Sequence, residues 1–87
     1  MATKETNTIS TAHKEALLRL GEYIYLNRRR LRLTQEELAE KCNAGQTTAL
    51  SSQRISDIEY GKMEAKFLEI QAIASVMGKD LNGFMNL

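Results

Sequence analysis

The residues of this chain best placed to do chemistry are polar and close together: Ser52, Gln53, Arg54, Ser56 and Asp57, interleaved with Ile55 and Ile58. Isoleucines three apart mark the inward side of a short helix and leave its opposite face free, where the five polar side chains are expected. Hydroxyl, amide, guanidinium and carboxylate can between them donate and accept hydrogen bonds across a patterned polar surface. This is equipment for recognition, not for making or breaking bonds. There is no Ser, His and Asp set in motif context, no glycine-rich phosphate loop and no metal-ligand spacing, so neither an enzyme nor a cofactor nor a metal is expected. His13 stands alone near the chain start and reads as a solvated side chain, and Cys42 reads as a small core residue. Arg28, Arg29, Arg30 and Arg32 offer cations to a phosphate, although a basic run also complements the dipole at a helix C-terminus.

What must position these groups is a small helical domain. The chain has 87 residues, 43% of them apolar, with no proline and five glycines, which suits one modest core built from helices. A single cysteine excludes an internal disulfide. No run is long or apolar enough for a membrane span or a signal-peptide core, so a cytoplasmic location and no membrane partner are expected. The formal net charge of +1 does not announce nucleic acid in bulk. The placement of the charges has to carry that case.

Residues 1–10 are polar and read as a disordered N-terminal tail, with the folded domain at 11–87. Thr11 is the expected cap of a long first helix carrying Leu17, Leu20, Ile24 and Leu31 on one side, slightly weakened by Gly21. Thr34 and Glu37 form a capping-box pattern that opens a second helix, with Leu38, Ala39 and Cys42 inward. Asn43 to Leu50 reads as the connection. Ser51 then caps a third helix that Gly61 stops in the left-handed conformation. Phe67, Ile70, Ile73, Ala74 and Met77 give a fourth helix ended by Gly78, and Asp80 can cap a short fifth with Leu81 and Phe84.

A helix-turn-helix needs a small residue where its first helix crosses its second, so that the second can stand out and enter a major groove. Ala39 meets that need. The strings T-Q-E-E-L-A-E-K (34–41), I-S-D-I-E-Y-G-K (55–62) and I-A-x-x-M-G (73–78) resemble the Xre or phage-repressor helix-turn-helix family, Cro and lambda repressor among them, over roughly Leu20 to Phe84. The resemblance implies an all-α, five-helix repressor-like domain that binds a double-stranded DNA operator, usually as a homodimer. By position it implies that Gln35 donates to a phosphate at a helix N-terminus and that Ser52 and Gln53 reach base edges, Gln53 suiting adenine. Asp57 would accept from the amino group of cytosine, and Arg54 would take a guanine edge or a phosphate. Ser56 shares that face, Lys62 contacts backbone, and Arg28 pairs with Glu59.

Three features depart from the family pattern. The connection Asn43 to Leu50 is longer than the family needs by about half a dozen residues, and it is expected to be flexible and to bulge outward. A second register would start the third helix near Gln46 and present Gln46, Thr47 and Thr48, but it strands the series Ile55, Ile58, Glu59, Gly61. Asp57 puts an acid on a face meant for phosphates, and Asn27 stands where the family commonly has an apolar residue. Leu81, Phe84, Met85 and Leu87 exceed what so short a helix needs, so part of this group is expected to form a twofold contact, with half-sites ~34 Å apart. The function expected is a sequence-specific transcriptional regulator, a repressor. The alternative is an antitoxin or protein-interaction module on the same fold, with weak or no DNA binding.

Overall fold

A computed structural model describes the backbone of residues 2–85 and 87 and the side chains of residues 11–84 and 87. Its elements are five helices: α1 (Ala2–Arg30), α2 (Gln35–Asn43), α3 (Ser52–Glu59), α4 (Phe67–Met77) and α5 (Leu81–Met85). None of them is long and apolar enough to cross a membrane. The backbone is already helical from Ala2, so Thr11 lies inside α1 and is not its cap. The segment expected as a tail holds neither glycine nor proline to interrupt the helix. Met1, and the side chains of the other nine tail residues, lie outside the described residues.

The helix ends follow local chemistry that the sequence announces. Thr34 Oγ1 accepts from the Glu37 N–H at 3.0 Å while the Glu37 carboxylate accepts from the Thr34 N–H at 2.9 Å, a complete capping box. Ser51 Oγ accepts from the Arg54 N–H at 3.0 Å and starts α3 where expected, which excludes the register beginning at Gln46. At the other end Gly61 adopts φ 72°, allowing the Lys62 N–H to reach Asp57 O at 2.9 Å and the Gly61 N–H to reach Ile58 O at 3.1 Å. That pair of bonds closes α3 as a Schellman motif and fixes where its last turn stops.

The core lies where α1, α2, α3 and α4 meet. Ile24, Leu38, Cys42, Ile55, Ile58 and Ile73 are fully buried, and Ala39, Leu50, Ala74, Met77 and Phe84 close around them. Close packing here leaves no room for α1 and α3 to carry side chains at their crossing. A Cβ on Gly21 would overlap the Glu59 carbonyl and lie 2.6 Å from Ile58 O, so this glycine is what lets the two backbones touch.

Three apolar expectations change. Phe67 opens α4 beyond the end of the core and is 65% exposed, not inward. Leu31 follows the end of α1 and is likewise exposed. Phe84 goes the other way: it is buried edge-on against Tyr23, ring centroids 4.9 Å apart at 84°, and Leu81 packs against the same core. Of the C-terminal apolar group, part of which is expected to form a twofold contact, Phe84 and Leu81 are thus used within this subunit. Leu87 stays exposed, and the side chain of Met85 lies outside the described residues.

The connection between α2 and α3 is not a loose bulge. Asn43, the last residue of α2, donates from Nδ2 to Leu50 O and accepts at Oδ1 from both the Leu50 N–H and the Thr48 hydroxyl, each at 2.8 Å. One side chain thus replaces the backbone partners that the loop lacks. Leu50, 6% exposed, is thereby seated in the core immediately before the Ser51 cap.

Candidate nucleic-acid interface

At about 100° per residue, Ser52, Ser56, Tyr60, Gln53 and Asp57 share one arc of about 140° along α3, while Ile55, Ile58 and Glu59 face the interior. Ser52, Gln53 and Tyr60 are exposed, and Ser56 and Asp57 are half-buried. Tyr60, 68% exposed, extends this polar arc at its C-terminal end, and Lys62 Nζ sits 5.8 Å from its ring centroid. Within the arc Gln53 Nε2 donates to Asp57 Oδ1 at 2.9 Å.

Arg54 does not belong to this arc. It falls on the flank of α3 beside Ile58, and its guanidinium turns to α4, donating to Glu69 at 3.1 and 2.8 Å and to Glu64 O at 2.9 Å. The side chain expected at a base edge or phosphate is instead a strut between α3 and α4. The sequence signal for Glu69 is its spacing from Lys66, three residues, which is that of a capping box. Its carboxylate also accepts from the Lys66 N–H at 2.8 Å. Burial opposes charge on Glu69, but the hydrogen bonds from Arg54 and Lys66 and the charges of both outweigh it, holding the carboxyl below its ordinary value.

The opposite end of α3 is fixed by a second ion pair. Arg28 Nε and Nη2 donate to the two Glu59 oxygens at 2.7 and 2.9 Å, and Nη1 donates to Leu33 O at 2.8 Å. Hydrogen bonding to Glu59 outweighs burial and holds this guanidinium above its ordinary pKa. The pairing expected of Arg28 is thus present, with side-chain exposures of 9% and 4%. Gln35 at the start of α2 joins it, donating from Nε2 to Glu59 Oε1 at 3.0 Å. A pocket of about 350 Å³ opens beside this group, lined by Glu22, Tyr25, Arg28, Gln35, Glu59 and Tyr60.

Cations border the site unevenly. Arg29 is exposed, lies over the Tyr25 ring at 5.6 Å and donates to its hydroxyl at 2.9 Å. Arg30 donates to Asn27 Oδ1 at 3.1 Å, and Asn27 in turn donates to Tyr23 O at 2.8 Å, which satisfies the polar residue found where an apolar one is usual. Arg32 is exposed in the left-handed turn after α1, at φ 59°.

The arrangement is a short helix braced at both ends, with its hydrogen-bonding arc turned outward and its neighbour α2 presenting an N-terminus beside it. Comparison with curated proteins and with solved structures gives no match. Residues 24–84, spanning Ile24 in α1 to Phe84 in α5, match the family model described as helix-turn-helix. The chain therefore belongs to the Xre, Cro and lambda-repressor-like helix-turn-helix family, whose members are DNA-binding regulators.

Proposed function

We propose that this protein is a cytoplasmic transcriptional repressor that binds double-stranded operator DNA as a homodimer, lays α3 in the major groove and excludes polymerase by occupancy. The observation that carries the reading is the outward arc of Ser52, Gln53, Ser56 and Asp57 on a helix whose position is set by ion pairs to α1 and α4. Rigid placement matters because base edges are distinguished by donor and acceptor positions. Gln35 and Lys62 serve the phosphates in this reading; the second Nε2 proton of Gln35 and the N-terminus of α2 are available to an anion beside Glu59. Of the C-terminal group, Leu87 remains for a twofold contact. Binding to a random-sequence duplex at two salt concentrations tests the reading. The expected log-log slope is about −0.9 per phosphate contacted. No binding at low salt contradicts it.

A second reading, a protein-interaction module such as an antitoxin, has one observation in its favour. Phe67 and Leu68 are 65% and 49% exposed beside a groove of about 410 Å³ that also includes Thr47, Thr48 and Ala49. The duplex titration separates the two readings.

A further inference from the structure

Asp57 is the one carboxylate on the outward arc of α3, and it touches Gln53, one turn earlier, at 2.9 Å. We propose that Asp57 is a positioning residue that fixes the amide of Gln53 to read adenine, and that it does not itself read a base. The inference rests on the DNA-binding function proposed above and deepens it.

The argument turns on which end of the amide a carboxylate can hold. An ionised carboxylate only accepts, so it can engage the Nε2 end of Gln53 and never the Oε1 end. Of the two Nε2 protons, the one on the same edge as Oε1 would bring the carboxylate close to that oxygen, and the two acceptors would repel. The proton on the far edge avoids this. Asp57 therefore takes the far proton and leaves the near proton and Oε1 side by side, one donor and one acceptor facing outward.

Adenine presents the complementary pair in the major groove, the N7 acceptor beside the N6 amino donor, whereas guanine presents two acceptors. A free glutamine amide can turn over and offer its ends in either order, which blurs the choice of base and of strand. Held by Asp57, it offers one order only. The same bond gives the acid on this face a role that does not require contact with a phosphate or a cytosine.

Selection of duplexes from a pool randomised at its centre tests this, using wild type, Gln53→Ala, Asp57→Ala and Asp57→Asn, with melting points measured in parallel. Asn offers an amide donor as well as an acceptor and can hold either end of the Gln53 amide, so Asp57→Asn should relax the adenine preference at the same base pair as Asp57→Ala. Asp57→Ala should lose about ten-fold in discrimination at one base pair, the same pair relaxed by Gln53→Ala. Relaxation at a different base pair means that Asp57 reads a base directly and overturns the inference. So does unchanged preference in Asp57→Ala. Failure of wild type to select or bind any duplex is a separate result: it defeats the DNA-binding proposal and the inference with it.

Discussion

Arg28 in α1 and Glu59 at the end of α3 form a two-pronged ion pair, 2.7 and 2.9 Å, across the point where Gly21 lets the two helices touch. Charge pairing and backbone contact thus locate the same end of the helix that carries the outward polar arc. Glu59→Ala leaves the Arg28 guanidinium buried without its partner, and a loss of about 3–5 kcal/mol in folding stability is expected. Urea unfolding checks it; an unchanged midpoint means the pair contributes nothing to holding α3.

Gly21→Ala is expected to destabilise by about 1–3 kcal/mol although alanine is the better helix former. The added methyl meets backbone carbonyls of α3, which cannot swing aside as a side chain can. Thermal unfolding distinguishes this from the small gain that helix propensity alone would give.

Asn43→Ala removes one donor and one acceptor that together hold Thr48 and both polar atoms of the Leu50 backbone. A cost of about 1–3 kcal/mol is expected. Hydrogen exchange should locate it: the Leu50 amide should exchange faster, with that of Arg54 affected less, because Ser51 still caps α3.

Glu69 gives the protein an acid-sensitive strut. Its carboxyl is held below the ordinary value of 4.5, so its contribution is present above that pH and is lost as pH falls through the lowered folded value. Stability measured from pH 6 downward should fall more steeply in wild type than in Glu69→Gln; equal slopes mean that the strut does not carry the acid sensitivity. Cys42, 2% exposed and pushed up to about 11 by burial, should resist alkylation at neutral pH and react only as fast as the protein opens.

The local devices were legible in the sequence because they depend on residues a few positions apart: the Thr34 and Glu37 box, the Ser51 cap and the Gly61 stop. The family resemblance supplied the distant pairing of Arg28 with Glu59. What could not be read depends on how separated segments meet. Gly21 looks like a flaw in a helix until α3 is laid across it, and Asn43 looks like an ordinary loop residue until Leu50 folds back onto it. Arg54 lies fifteen positions from Glu69, and only the packing of α4 against α2 brings that carboxylate within reach of α3 and turns Arg54 from a reader into a strut. Phe84 looks surplus to so short a helix until the Tyr23 ring that receives it, far away in the chain, is folded against it.

The central claim, that α3 reads sequence through its outward arc, is tested most directly by comparing wild type and Gln53→Ala on the duplex wild type selects and on an unrelated duplex, at one salt concentration. The account predicts that Gln53→Ala loses about 1–3 kcal/mol on the selected duplex and binds the unrelated one as wild type does. Equal binding of wild type to both duplexes, or specificity that survives Gln53→Ala but is abolished by Thr47→Ala, would contradict it.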